Sequence, residues 1–258
     1  MNILTSAMKT RRLLRFMRKP APIILNPLAI PTASAQTINE LLEISDGREY
    51  LEVGVKKGAT FQCVKGSTCT GVDPNPLFDT AHLPSGFFFT TAPSDEYFAG
   101  LAPEKMFNII FLDGLHTAEQ TLRDLINALL NLSPNGAILI DDTVPCDQIS
   151  AIPDYEESKR VRRAAGLKGS SWSGDVYRVL GWIARQPSLR WSTITNRGNP
   201  QTLVWNTGSS LVSLDHAEDA LLKEPYEQLF GENTTIPSSF NPTTAEEALR
   251  LYAQFAHR

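Results

Sequence analysis

Five short apolar segments alternate with helix-like segments between residues 50 and 140, and each apolar segment ends in a turn. They are residues 50–53, 69–73, 87–90, 107–112 and 137–140. Continuous apolar runs are typical of strands that are buried on both faces. Strands that alternate with helices predict a parallel sheet with crossover helices on both sides.

The segments between and after these strands refine the prediction. Thr117 and Gln120 have the spacing of a capping box at the start of a helix, and Leu122 and Leu125 then lie on one helical face. Two later strand-like runs, 191–195 and 202–205, are separated by a short polar turn. So short a link predicts a hairpin, and therefore one antiparallel strand. The fold class is α/β, a doubly wound and mostly parallel sheet.

Length and charge limit the domain organisation and the partners. A chain of 258 residues fits one large or two small domains. We predict a basic N-terminal arm (1–36), a main domain (37–206) and a C-terminal extension (207–258) that covers the site or makes an oligomer contact. Prolines and basic residues interrupt any apolar core of a signal peptide in the arm. With three cysteines and a net charge of −4, we expect a cytoplasmic protein without affinity for nucleic acid or membranes.

Acidic residues lie at or next to the ends of four predicted strands. They are Glu52, Asp73, Asp113, Asp141 and Asp142. In an open α/β sheet, ligands bind beyond the carboxyl ends of the strands. Because acidic residues are rarely buried without a partner, this pattern predicts a ligand site at that edge.

A glycine-bearing turn follows the first strand. Gly54 and Gly58 allow the backbone to turn sharply and to approach a ligand. Asp73 follows nineteen residues after Gly54, about the distance at which a nucleotide-binding fold places an acidic group on ribose hydroxyls. A nucleoside ligand is therefore predicted. A dinucleotide is disfavoured, because Lys56 stands where G-x-G-x-x-G requires glycine.

Taken together, these motifs resemble the class I S-adenosylmethionine (SAM)-dependent methyltransferases, which have a Rossmann-like fold. The resemblance covers about residues 37–206, and a D-G-L-H sequence at 113–116 resembles a bacterial branch associated with sugar, polysaccharide or secondary-metabolite modification. The matching segments are 50–54, 58–61, Asp73, 94–98, 107–116, 123–124, 136–145 and 174–177.

The resemblance implies a role for each residue of the cofactor site. Glu52, Gly54 and Gly58 would line the methionine and sulfonium end of SAM, and Asp73 would hold the ribose. Ser94 and Asp95 would lie by the adenine. Asp113 would lie under the methionine portion, at the centre of the active face.

Asp113, His116 and Asp142 are the candidate catalytic residues. Methyl transfer needs alignment and removal of a proton, and an imidazole suits proton transfer at neutral pH. The alternative is that His116 only makes a hydrogen bond at the helix start. Asp113, Asp141 and Asp142 could also bind Mg²⁺, since this ion prefers oxygen ligands. They could equally well hydrogen-bond the cofactor and the backbone.

Three functions stay open at this stage. The first is SAM-dependent methylation of an oxygen of a sugar or another small hydroxylated acceptor. The others are a non-catalytic nucleoside-binding scaffold and a nucleotide-dependent oxidoreductase. The charged segment 146–173 is typical of a solvated helix face, or alternatively of a lid that binds an anionic acceptor.

Overall fold

The computed structural model describes residues 31–169, 171–208, 217–231 and 235–257, which form one eight-stranded sheet with helices on both faces. The strands are β1 (Glu49–Val53), β2 (Thr68–Val72), β3 (Phe87–Thr90), β4 (Phe107–Leu112), β5 (Leu132–Ile140), β6 (Leu189–Ile194), β7 (Gln201–Asn206) and β8 (Pro242–Thr243). The helices are α1 (Ala33–Ile44), α2 (Ser94–Ala99), α3 (Ala118–Leu130), α4 (Tyr155–Ala164), α5 (Val179–Ala184), α6 (Tyr226–Phe230) and α7 (Ala245–Ala256). Short 3₁₀ turns connect several of them.

The strand order is β3-β2-β1-β4-β5-β7-β6-β8. Strands β1 to β5 are parallel, and β7 runs antiparallel to both β5 and β6. The predicted hairpin and the single antiparallel strand are therefore confirmed, as is the doubly wound α/β fold that the resemblance implied. The two-residue strand β8 adds a parallel edge beside β6, which the sequence analysis did not predict.

Apolar side chains of the sheet alternate between two cores. Leu51, Ile110 and Leu112 point toward α3 and α5, whereas Tyr50 and Ile109 point toward α1 and α7. All five side chains are at most 3% exposed. Burial on both faces is why these strands have continuous apolar runs instead of alternation.

The start of α3 is capped differently from the prediction. Thr117 occupies the N-cap position, but its side chain makes no capping hydrogen bond. Instead Oδ1 of Asp175 accepts the backbone N–H of Ala118 at 2.8 Å. The side chain of Gln120 donates to Ser94 and Asp95 of α2. The predicted capping box is therefore wrong, because Asp175, 57 positions away in the sequence, accepts the hydrogen bond from the first N–H of the helix.

Both ends of the predicted main domain continue into regular structure. Helix α1 begins at Ala33, with the hydroxyl of Thr32 accepting the N–H of Ala35, so it crosses the boundary predicted at residue 36. In the C-terminal extension, β8 pairs with β6, and α7 packs on the core beside α1. Residues 1–30 of the predicted arm lie outside the described residues. Within the described ranges, no helix is long and apolar enough to cross a membrane.

Candidate active site

The register of the parallel strands brings the predicted site residues to one edge. Val53 at the end of β1 pairs with Val72 of β2 and with Leu112 of β4, and Leu112 pairs with Ile140 of β5. The next residue of each strand is therefore at the same level. Those residues are Gly54, Asp73, Asp113 and Asp141.

The turn after β1 requires glycine at its first position. Gly54 has a φ of +91°, and a Cβ there would lie 1.9 Å from the carbonyl oxygen of Asp113. The turn thus lets two strand ends approach each other more closely than any side chain permits. Lys56, where the sequence lacks the middle glycine, also has a positive φ, of +49°.

The carboxylate of Asp73 holds this turn in place. Its Oδ2 accepts the N–H of Lys56 at 2.7 Å, and its Oδ1 accepts the N–H of Asn75 at 2.7 Å. Each carboxylate oxygen has a second lone pair, so these bonds leave acceptor capacity for ribose hydroxyls. Asp73 joins the glycine turn to the end of β2.

Glu52 lies beneath the edge and is 2% exposed. The hydroxyl of Tyr50, two residues earlier on the same face of β1, donates to its Oε2 at 2.7 Å. Burial raises the pKa of Glu52 well above its usual value, and the Tyr50 hydrogen bond offsets part of that rise. The nearby carboxylates of Asp113, Asp141 and Asp73 raise it further.

Ser94 and Asp95 start α2 and are tied to α3. Nε2 of Gln120 donates to Ser94 Oγ at 3.2 Å and to Asp95 Oδ1 at 3.1 Å. Arg123 also lies 3.5 Å from Asp95, which is half exposed. The backbone N–H of Asp73 donates to the carbonyl oxygen of Thr90, the last residue of β3. Helix α2 begins shortly after Thr90, so its first residues lie near the end of β2.

His116 lies between two carboxylates. Its Nε2 is 3.3 Å from Oδ1 of Asp113, and its Nδ1 is 3.2 Å from Oδ2 of Asp142. Nδ1 also lies 3.2 Å from the carbonyl oxygen of Trp172. Burial lowers the pKa of His116, but the hydrogen bond and charge of Asp113 and the charges of Asp142 and Asp141 outweigh it, so the pKa is raised.

The compact acidic group differs from the predicted metal-binding set. Ligand atoms of Asp113, His116 and Asp142 all lie within 4.8 Å of one another, so His116 takes the place predicted for Asp141. Oδ1 of Asp141 instead accepts from Gln201 Nε2 at 3.0 Å and from the N–H of Asp142 at 2.9 Å. Burial and the two neighbouring aspartates raise the pKa of Asp141 well above its usual value.

Asp142 is held by side chains from two later segments of the chain. Its Oδ1 accepts from Ser173 Oγ and Asn199 Nδ2, both at 3.2 Å. Its backbone has a φ of +55°, which is uncommon for a residue other than glycine and marks local strain. The carboxylate thereby presents Oδ2 to His116.

Three residues of this edge were missed as site residues by the sequence analysis. Asp124 is 2% exposed and lines the small cleft with Asp113 and His116. An acidic residue between Leu122 and Leu125 on the buried face of a helix was the signal that could have identified it. Trp172 and Gln201 reach the site from later segments, and no local spacing in the sequence marks either of them.

Residues 51–143 match the family model described as a methyltransferase domain. No curated protein matches the sequence significantly. Among solved structures, the chain is similar to an O-methyltransferase from Bacillus cereus in complex with SAH, at 13% identity and a TM-score of 0.47, covering 78% of this chain and 89% of that one.

A second solved structure is the O-methyltransferase TomG from Streptomyces achromogenes, involved in tomaymycin synthesis and in complex with SAM. It has 13% identity and a TM-score of 0.46, with 70% of this chain and 82% of that one covered. The family match begins within β1, extends past the end of β5, and includes Glu52, Asp73, Asp113 and Asp142. Residues 51–143 of this chain are therefore similar to a methyltransferase domain, the family that its motifs resemble.

Proposed function

We propose that this chain transfers the methyl group of SAM to a hydroxyl oxygen of a small acceptor, such as a sugar or another small hydroxylated molecule. The observation that carries the proposal is the group Asp113–His116–Asp142, which lies at the carboxyl edge of the sheet directly beside the glycine turn. Such a position brings a proton acceptor next to the place where this fold binds its cofactor.

The cofactor fits the charge and shape of the edge. Gly54 and Gly58 leave room for close approach to the backbone, and Asp73 has acceptor capacity for the ribose. Ser94 and Asp95 lie beyond the end of β3, where the resemblance places the adenine. Several carboxylates around one histidine make this edge acidic, which favours a ligand with a positively charged sulfonium.

His116 is the proposed base, with Asp113 and Asp142 as its partners. Without an acceptor, both imidazole nitrogens face oxygen atoms, and the raised pKa favours the protonated ring. An acceptor hydroxyl that replaces Asp113 at Nε2 would weaken this stabilisation, so that the Nε2 proton is released to solvent. The neutral Nε2 can then accept the hydroxyl proton. The Trp172 carbonyl would keep the remaining proton on Nδ1.

The same three residues fit a divalent cation. Two carboxylates and one imidazole within 4.8 Å provide three ligands, although Mg²⁺ prefers oxygen and the nitrogen also suits Mn²⁺. A bound cation would supply Lewis-acid activation of the acceptor hydroxyl. His116 cannot be both a cation ligand and the base through the same nitrogen, so the two roles are separable by experiment.

The first test is calorimetric titration of the full chain with S-adenosylhomocysteine, with NADH in parallel. We expect binding of the former alone, in the micromolar range or about −8 kcal/mol. Binding of NADH alone would favour an oxidoreductase instead. Binding of S-adenosylhomocysteine without turnover on any acceptor would favour the non-catalytic scaffold.

The second test separates the roles of His116. An acceptor screen is run with and without Mg²⁺ or Mn²⁺, on the wild type and on His116→Ala. We expect the variant to keep its affinity for S-adenosylhomocysteine and to lose methylation. Activity that needs no cation and survives chelation would support the base, whereas strict cation dependence would support the ligand role. Normal turnover by His116→Ala would exclude both.

A further inference from the structure

A second cavity lies beside Trp172. Its volume is about 190 Å³, and it is lined by residues of α4 and by Leu167, Gly169, Ser171 and Trp172. Drug-sized ligands occupy roughly 300–1,000 Å³, so this cavity fits one part of a small molecule rather than a whole one. None of the residues assigned to the cofactor lines it.

Trp172 is the wall shared by this cavity and the active site. One face of its indole stacks on His116 at a centroid distance of 4.8 Å. The ring of Tyr155 meets it edge-on at 5.1 Å, and its Nε1 donates to the carbonyl of Ile152 at 2.8 Å. A ligand part in the cavity can therefore contact the same indole that stacks on the imidazole.

The polar side of the cavity carries cations. Lys159 is paired with Glu156, and Arg162 makes two hydrogen bonds to Asp147 at 2.8 and 2.9 Å. Nε of Arg162 is buried and has no hydrogen-bond partner among the described residues. Within the same described part of the chain, Arg163 makes no ion pair. The guanidinium of Arg163 is thus available to an anion, and that of Arg162 has one N–H group without a hydrogen-bond partner among the described residues.

The apolar side of the cavity is formed by aromatic and aliphatic side chains. Tyr155 and Leu167 are 42% and 50% exposed, although both are large and mostly apolar. Together with Trp172 they line the cavity, and Nζ of Lys159 lies 4.8 Å from the centre of the Tyr155 ring. Exposed apolar surface beside available charge is typical of a binding site for a ligand with both characters.

We propose that this cavity binds a flat or apolar part of the acceptor that carries an anionic group, a carboxylate or a phosphate. The inference rests on the proposed function and narrows its substrate class. Arg163 pairs with the anion, Tyr155, Leu167 and Trp172 contact the apolar part, and the acceptor hydroxyl passes the edge of Trp172 to reach His116. Helix α4 is then a specificity element and not only a solvated face.

The test is calorimetric titration of the full chain, saturated with S-adenosylhomocysteine, with three probes. They are 3,4-dihydroxybenzoate, phenyl phosphate and the neutral 3,4-dihydroxybenzamide. We expect at least one anion to bind about tenfold more tightly than the amide, since a charge-assisted hydrogen bond is about twice as strong as a neutral one. The stronger of the two anions identifies carboxylate or phosphate as the preferred group.

Two variants on α4 test whether Arg163 causes the preference for the anion. Arg163→Gln should abolish the preference for the anion, whereas Arg160→Gln should retain it, because Arg160 is exposed and paired with Glu157 outside the cavity. Equal affinity for anion and amide, no binding of either anion, or a preference that survives in Arg163→Gln would each overturn the inference. Failure of S-adenosylhomocysteine to bind the wild type overturns the proposed function instead, so the two failures are distinguishable.

Discussion

The imidazole of His116 lies parallel to the indole of Trp172, with 4.8 Å between the ring centroids and 4° between the planes. Stacking covers one face of the imidazole and leaves its two nitrogens 3.3 Å from Asp113 and 3.2 Å from Asp142. The indole is itself fixed by its hydrogen bond to Ile152. This pair therefore orients the proposed base.

Replacing Trp172 tests that orientation. Trp172→Ala removes a stacked contact worth about 0.5–1.5 kcal/mol and lets the imidazole rotate. We expect kcat for methylation to fall roughly tenfold, because a misplaced base loses alignment. Trp172→Phe keeps a flat ring and should retain most of the rate. A Trp172→Ala enzyme with wild-type kcat would remove Trp172 as a positioning residue.

Asp73→Ala tests the placement of the cofactor. The change removes the acceptor proposed for the ribose and frees the N–H groups of Lys56 and Asn75, which the carboxylate holds. We expect affinity for S-adenosylhomocysteine to fall by roughly 1.5–3 kcal/mol, measured by calorimetry. Asp73→Asn keeps one acceptor oxygen and should lose less. If the affinity of Asp73→Ala equals that of the wild type, the cofactor does not lie on Asp73.

Gly174→Ala tests the close packing behind His116. Gly174 has a φ of +57°, and a Cβ there would lie 1.7 Å from the carbonyl oxygen of His116. We expect a loss of roughly 3 kcal/mol in the free energy of unfolding, measured in urea. Gly166→Ala is the matched control, since Gly166 has a φ of +67° and a Cβ there would meet no atom of the described residues within 4 Å. Its loss should be about 1 kcal/mol, and equal losses would contradict the steric explanation.

Asp124 should make stability depend on pH. Burial raises the pKa of its carboxyl to about 6, partly offset by hydrogen bonds from Ser94 and Gln120. Below the unfolded pKa of about 3.9 both states are protonated, and between that pH and about 6 only the unfolded state loses its proton. Stability contributed by the protonated group is therefore lost as pH rises through this window, by roughly 3 kcal/mol for two pKa units.

Asp124→Asn isolates that contribution. The amide does not ionise, so the variant should be more stable than the wild type at pH 7 by roughly 2 kcal/mol and should lose this advantage near pH 4. Thermal unfolding of both proteins across pH 4–8 measures the difference. A difference that stays constant over that range would mean that folding does not raise the pKa of Asp124.

The strands could be predicted because their signals are local. Phe87–Thr90 and Phe107–Leu112 have the predicted bounds, since a strand buried on both faces needs a continuous apolar run and the following turn ends it. The meeting of the acidic residues at one edge could be predicted in the same way, because parallel strands in register end at the same edge of the sheet. The glycine turn could also be predicted, since the positive φ angles at Gly54 and Gly58 favour glycine.

Interactions between distant segments could not be read in this way. Asp175 caps α3 from 57 residues away, whereas the local pattern favoured Thr117. Asn199 and Gln201 determine which oxygen each of Asp142 and Asp141 presents, and they do so from the β6–β7 hairpin. No sequence spacing reports such a contact, because only packing brings the two segments together.

The sequence by itself determined an α/β sheet and the edge that carries the carboxylates, since both depend on hydrophobic period and turn chemistry within a few residues. The tertiary structure decided which side chains form the compact group. It placed His116 with Asp113 and Asp142, turned Asp141 toward Gln201, and brought Trp172 onto the imidazole. Side-chain direction at a strand end depends on hydrogen bonds from other segments, and these exist only once the chain has folded.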